Sequence, residues 1–150
     1  MITKEYLEQY VDMACELPEL EKKISDIEKK IEKIEKEGCV KDTVTGGNGG
    51  TQHFVIEGFP VPEYRKQRTR LFRKKMEYEN LRKRVERCVD DIESFLIGID
   101  NSRIRRIINY KYIEGLSWYD TADKIGKTAT SESVRKELER YLDKEFGKNR

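Results

Sequence analysis

Leu17, Leu20, Ile24, Ile27, Ile31 and Ile34 recur at alternating steps of three and four residues. That spacing permits little besides an α-helix with one narrow apolar seam, the a and d positions of a heptad. Glu and Lys fill the places between, and Tyr6, Tyr10 and Met13 extend the register towards the N-terminus. Pro18 interrupts it. Proline suits the first turn of a helix, so the pattern predicts one helix over about 3–16 and another over about 18–37, stopped by Gly38. Leu71, Tyr78, Leu81, Val85, Cys88, Ile92 and Phe95 form a second seam, with Lys74 as its one charged intruder. It predicts a helix over about 63–98, roughly 50 Å long at the α-helical rise. Two seams in one chain predict an antiparallel coiled-coil hairpin in which each buries the other. A two-helix arm still leaves apolar surface, which favours a homodimer through the arm.

Between the seams, two β-prone runs, Cys39–Thr45 and Thr51–Glu57, flank the glycine-rich stretch Gly46–Gly50. This predicts a small β-hairpin over about 39–57, closed by Gly58, Pro60 and Pro62. A glycine-rich loop can cradle phosphate. This one lacks the Lys-Ser/Thr of a nucleotide-binding loop and does not open a helix, so a plain turn is the simpler reading.

Charge is distributed unevenly. The net +2 covers about −4 in residues 1–37, about +6 in 62–90 and about +3 in 100–150. Such asymmetry suggests a polyanionic partner for the middle and C-terminal parts. Arg65, Lys66, Arg68, Arg70, Arg73, Lys74 and Lys75 crowd the start of the long helix, and Arg82, Lys83, Arg84 and Arg87 follow. Two readings stand side by side. These residues are a solvated face partly paired with Glu28, Glu32 and Glu35 of the acidic helix, or they contact phosphates and extend a nucleic-acid footprint.

Cys15, Cys39 and Cys88 are odd in number, far apart and without metal-ligand spacing, and His53 is the only histidine. They read as reduced thiols of a cytoplasmic protein, with Cys88 in the core and no metal or other cofactor. No stretch is apolar enough for a signal peptide or a membrane span. Carboxylates are scattered in helix-surface patterns, His53 has no evident partner, and no nucleophile motif occurs. A non-enzyme is expected.

The last third carries the functional signal. In Leu116-Ser117-Trp118-Tyr119-Asp120-Thr121-Ala122-Asp123-Lys124-Ile125-Gly126, Ser117 can cap a helix, and Asp120 sits where it can bond back to the cap's amide. Trp118, Ala122 and Ile125 share a face. Ala122 is small enough for a second helix to cross closely, and Gly126 marks a stop and a sharp turn. A second helix starts near Thr130 or Ser131 and buries Val134, Leu138, Tyr141 and Leu142. It leaves Ser131, Ser133, Arg135, Lys136, Glu139 and Arg140 outward, a polar and partly basic face of the kind a DNA major groove accepts. Upstream, Ile104, Ile107, Ile108 and Tyr112 form a buried stripe, while Arg103, Arg105 and Arg106 can meet a DNA backbone. Trp118, Tyr119 and Tyr141 read as core or partial core, because so small a unit needs large side chains.

Arg103 to Trp118, with its Arg-rich helix and its Tyr112-Ile113-Glu114-Gly115-Leu116-Ser117 corner, resembles the region-four helix-turn-helix of bacterial sigma factors. The whole chain is similar to phage and prophage regulators of the ArpU and RinA kind, which join a helical N-terminal part to a sigma-like C-terminal domain and control late gene expression. Lys127-Thr128-Ala129-Thr130-Ser131 departs from the tight form of the motif by about two extra residues.

Together these readings predict a mainly α chain: a helical arm over 1–98 with the β-hairpin insert, then a three-helix helix-turn-helix DNA-binding domain over 100–146. Its expected function is sequence-specific binding of promoter DNA as a transcriptional regulator of phage or prophage genes. Ser131, Ser133, Arg135, Lys136, Arg140, Arg103 and Arg106 are the DNA-facing candidates. Double-stranded DNA is the expected partner, and the arm would dimerise the protein or touch RNA polymerase. The alternatives are a DNA-packaging subunit of the small terminase kind, which would form a ring of many copies, and a protein-binding adaptor.

Overall fold

The computed structural model describes the backbone of residues 2–38, 40–45, 53–126 and 128–147, and the side chains of 2–38, 58–126 and 128–145. The elements are α1 (Lys4–Glu37), β1 (Val40–Thr45), β2 (His53–Gly58), α2 (Val61–Ile97), α3 (Ser102–Ile108), a π-helical turn (Asn109–Ile113), α4 (Trp118–Ile125) and α5 (Ser131–Gly147). The protein is mainly α. Among the described residues, no helix is long and apolar enough to cross a membrane.

The break expected at Pro18 does not occur. α1 runs unbroken from Lys4 to Glu37 with Pro18 inside it. A proline in a helix interior removes one N–H and crowds the carbonyl four residues back, here that of Ala14. Pro18 is exposed, while Met13 and Leu20 on the apolar seam are buried. Burial along the seam therefore holds the helix through the defect. α2 begins at Val61, two residues earlier than the sequence predicts, and ends at Ile97 before Gly98.

The chain divides into two compact units, Met1–Leu17 with Leu81–Arg150, and Pro18–Asn80. The division falls within α1 and α2 rather than near residue 98. The first turns of α1 and the last turns of α2 belong with the C-terminal helices, because Ile2, Leu7, Tyr10 and Ile92 enter one buried cluster with Ile99, Ile104, Ile107, Ile108, Val134 and Leu138. Three helices of under fifty residues bury too little surface by themselves, and the added helices complete the core.

In the unit Pro18–Asn80, Leu20, Ile27 and Ile31 are buried, and Ile24 and Ile34 are half-buried, in keeping with the seam. Tyr78 donates its hydroxyl to Glu21 at 2.6 Å, Lys75 meets Glu28 at 2.8 Å, and Tyr64 donates to Glu35 at 2.8 Å. Partner numbers fall on α2 as they rise on α1, so the two segments run in opposite directions. Of the three acids expected to meet the basic helix, Glu28 pairs with one of its cations. Glu32 instead pairs with Lys36 on its own helix, and Glu35 takes the tyrosine hydroxyl. Gln67, unremarked in the seam, is buried. Its amide donates to Glu63 at 2.6 Å, and its oxygen has no partner among the described residues. β1 and β2 pair antiparallel, from Val40 opposite Gly58 to Thr45 opposite His53. Cys39, the Gly46–Gly50 turn and the side chain of His53 lie outside the described residues.

In the other unit, Ile104, Ile107, Ile108 and Tyr112 are all buried. Asn101 caps α3, its side-chain oxygen accepting from the amides of Arg103 and Ile104. α3 then opens into the π turn, where the Glu114 amide reaches five residues back to the Asn109 carbonyl at 2.9 Å. Gly115 follows with φ +69°, a left-handed conformation that costs glycine nothing and other residues about 1 kcal/mol or more. Two expectations for the core are corrected. Tyr119 is 77 % exposed, because it lies about 100° round the helix from Trp118 and off the buried face of α4, whose buried residues are Thr121, Ala122 and Ile125. Cys88 packs at the core's margin and is half-buried, while Cys15 is exposed; both thiols are free.

Candidate nucleic-acid interface

Two caps set the positions of α4 and α5. The Ser117 hydroxyl oxygen accepts from the Asp120 amide at 3.0 Å, and the hydroxyl donates to the Asp120 carboxylate at 2.6 Å. The carboxylate therefore engages the capping hydroxyl rather than the backbone amide the spacing suggested. It also lies in the first turn, where a negative charge complements the helix dipole. α4 ends at Gly126, whose φ 155° and ψ 159° belong to a region open almost only to glycine. Residues 126–130 separate the two helices. The Ala129 amide returns to the Gly126 carbonyl at 2.9 Å and closes the turn on itself. Thr130 then starts α5 through a reciprocal cap: the Ser133 amide donates to the Thr130 hydroxyl at 3.1 Å, and the Thr130 amide donates to the Ser133 hydroxyl at 2.9 Å. A serine here stands where the usual reciprocal cap has Glu or Gln.

α5 buries Val134, Leu138 and Leu142 and half-buries Tyr141. Ser131, Ser133, Arg135, Lys136 and Arg140 are all exposed. Helical periodicity separates them. Ser133, Lys136 and Arg140 fall on the face opposite the buried stripe. Arg135 falls on a flank, where it lines a groove with Trp118, Ser131 and Glu132. Ser133 is committed to the cap, since its hydroxyl also donates to the Thr130 carbonyl at 2.9 Å. Lys136 pairs with Glu132 one turn back at 2.7 Å, and this pair holds the Glu132 carboxyl below its ordinary value. Among the described residues neither Arg135 nor Arg140 has an ion-pair partner. On the stretch of α5 with the candidate residues, they are the cations free of an ion pair.

The two arginines proposed on α3 have other work. Arg103 Nε donates to both carboxylate oxygens of Glu137 on α5 at 3.0 Å. Arg106 donates to the Lys124 carbonyl in the last turn of α4 at 2.7 Å and lies 5.6 Å from the centre of the Tyr110 ring. Lys124 faces the same ring at 5.1 Å. A cation at the carbonyl end of a helix is favoured by its dipole, so Arg106 and Tyr110 fasten α3 and the π turn to α4. These side chains fasten the helices to one another.

Beside Arg135 lies a groove of about 300 Å³ lined by Lys4, Glu8, Asp12, Lys111 and Trp118. Lys111 stands 5.3 Å over the Trp118 ring and donates to the Leu116 carbonyl at 3.0 Å. Tyr112 meets Trp118 edge-on at 6.4 Å and also reaches this groove. Burial, then the nearby carboxylates of Glu8 and Glu139, pushes the Tyr112 phenol up to about 12. Lys4 bonds Glu139 at 2.8 Å and ties the start of α1 to α5; that bond lowers the Glu139 carboxyl and raises the Lys4 amine.

The sequence held a signal for one of the unread features. Thr130-x-x-Ser133 is a capping spacing with a weaker third-position partner. The staples Arg103–Glu137 and Lys4–Glu139 have none, since they join residues far apart in the chain. Comparison with protein-family models, with curated proteins and with solved structures finds no match to this chain.

Proposed function

We propose that this protein is a sequence-specific, sigma-like DNA-binding transcriptional regulator of phage or prophage genes, with α4, the turn 126–130 and α5 acting as a helix-turn-helix. In this reading α5 enters the major groove of promoter DNA. Arg135, Lys136 and Arg140 supply the cationic contacts, and Ser131 supplies a small hydrogen-bonding group near the helix start. The observation that carries it is the pairing of a doubly capped α4–turn–α5 corner with an outward α5 face whose Arg135 and Arg140 are uncommitted among the described residues. The corner's likeness to sigma region four supports it through Tyr112-Ile113-Glu114-Gly115-Leu116-Ser117. Arg103 and Arg106 are exposed, and in this reading they hold α3 to α5 and α4 while presenting charge to the DNA backbone.

Fluorescence anisotropy tests it with two probes, duplex DNA flanking the gene and a random duplex, across a salt series. The expected result is preference for one flanking fragment and a negative slope against log salt. Replacing Arg135, Lys136 and Arg140 together by alanine should weaken binding to that fragment by about tenfold or more, since each base-edge contact carries about 1–3 kcal/mol. Unchanged affinity in a folded triple variant removes α5 as the reading helix. A ring of many copies in light scattering would move the protein to the DNA-packaging class.

A further inference from the structure

Unit Pro18–Asn80 carries a second cationic surface that the α5 reading does not use. Along α2, Arg65, Lys66, Arg70, Arg73 and Lys74 line one open groove of about 720 Å³, with Thr69 and Glu77 between them. All of these cations except Lys74 are exposed. Lys74 bonds Glu77 at 2.6 Å; among the described residues Arg65, Lys66, Arg70 and Arg73 have no ion-pair partner. Beside the row, Phe72 and Met76 stand one turn apart and are 66 % and 50 % exposed.

The row itself argues for one kind of occupant. Lys66, Arg70 and Lys74 follow each other at four-residue steps, about 6 Å of rise each, and Arg65 and Arg73 flank them on the same face. A rigid ladder of like charges at regular spacing matches a polyanion whose charges also repeat regularly, as the phosphates of a duplex do. A second copy of the chain fits poorly. Antiparallel pairing of two copies across Phe72 and Met76 sets Arg73 against Lys75 and Arg65 against Lys83, and parallel pairing sets each cation against itself. Like charges opposed across a helix interface are destabilising. An anionic membrane would need a continuous apolar face, whereas along Pro62–Glu77 the large exposed apolar side chains are Phe72 and Met76.

We propose that this face of α2 is a phosphate-backbone contact surface for duplex DNA, adding affinity without sequence choice to the reading by α5. The inference rests on the DNA-binding reading above and gives the basic helix a defined role in it. Arginine is suited to this task because its planar fork meets phosphate oxygens in pairs.

The test is the salt dependence of binding to the random duplex, measured for the full chain. Arg65→Gln, Lys66→Gln, Arg70→Gln and Arg73→Gln are made singly and together. Each phosphate contact removed should flatten the slope of log K against log salt by about 0.9, so the combined variant should lose between about two and four units. The triple Arg→Lys variant at 65, 70 and 73 keeps the charge and should keep the slope. Should the combined variant lose helicity in circular dichroism, the single variants still give the stepwise change. A wild-type slope in every Gln variant overturns the inference while leaving α5 as reader. A flattened slope in these variants, together with an α5 triple variant that discriminates like the wild type, removes α5 as reader and leaves this surface standing. Binding to phosphatidylserine vesicles but to neither duplex overturns both.

Discussion

The two units of this molecule share both long helices and bury very different amounts of side chain. Among the described residues, Pro18–Asn80 contributes Leu20, Ile27 and Ile31 to the buried apolar set, whereas the other unit contributes sixteen residues from every helix it holds. A seam between two helices covers one stripe on each and leaves the rest to solvent. A core built from several helices encloses side chains on all sides. The first arrangement tolerates Pro18 at its edge and a charged Lys74 in its stripe. The second is where the capped turn and the π turn are held in place. The lesson is that the part proposed to read DNA gains its rigidity from helix ends that lie far away in the chain.

The largest expected effect breaks that comparison if it is wrong. Leu7 is fully buried, and Leu7→Ala removes a large side chain from an enclosed core. The expected loss is about 2–5 kcal/mol, at the upper end because the surroundings cannot collapse from every side. Ile27→Ala makes a similar deletion in the seam, where a neighbouring side chain can relax towards solvent, and should cost nearer about 2 kcal/mol. Denaturant unfolding followed by amide exchange, which reads each unit separately, checks both. Equal costs in the two units would show that the seam is as tightly enclosed as the multi-helix core.

An alkaline transition is expected at Tyr112 in the enclosed unit. The Tyr112 phenol is raised to about 12 by burial and by the carboxylates of Glu8 and Glu139, from an ordinary value of about 10. A raised folded value means that the neutral phenol favours the folded state. The stability it supplies is complete below about pH 10 and is lost as pH rises towards 12. Tyr112→Phe, which keeps the ring against Trp118, should lessen the alkaline loss in a plot of unfolding midpoint against pH, leaving the part due to Tyr6, Tyr10, Tyr64 and Tyr141, which are raised as well. A variant that loses stability over the same range as the wild type assigns the transition elsewhere.

Each unit also holds one buried oxygen without a partner among the described residues, Thr121 Oγ1 in one and Gln67 Oε1 in the other. Thr121→Val keeps the shape and removes an orphaned hydroxyl, so it should stabilise by about 1 kcal/mol. Gln67→Leu removes an orphan too but also loses the hydrogen bond to Glu63, and the two effects should nearly cancel. Thermal midpoints of the two variants decide this. A destabilised Thr121→Val would mean that the hydroxyl is hydrogen-bonded in solution.

What the sequence made legible follows the range of the interaction. Ile104, Ile107, Ile108 and Tyr112, the Ser117 cap and the start of α5 depend on neighbours within one or two turns, and their spacing displays them. The unbroken α1 did not show, because the local penalty of Pro18 is visible in the chain while the seam burial that overrides it is a tertiary effect. Tyr119 was misplaced by its bulk and corrected by its angle on the helix. The bonds of Arg103 to Glu137 and of Arg106 to the Lys124 carbonyl did not show either, because they join residues far apart in the chain.

The smallest expected effect concerns the contact that closes the enclosed unit. Lys4 bonds Glu139 at 2.8 Å and joins the start of α1 to α5. Both side chains are partly exposed, so solvent screens the pair and its contribution is small. Its sign is nevertheless fixed. The Lys4 hydrogen bond holds the Glu139 carboxyl below its ordinary value, so its stabilisation is present above the unfolded carboxylate pKa and is lost as pH falls through the lower, folded one. Glu139→Gln should therefore lie slightly below the wild type in denaturant midpoint at neutral pH and converge with it in acid. Added salt at neutral pH should narrow the same gap. A gap that persists in acid, where the wild-type carboxyl is protonated, would assign the effect of Glu139 to packing on α5 rather than to its charge.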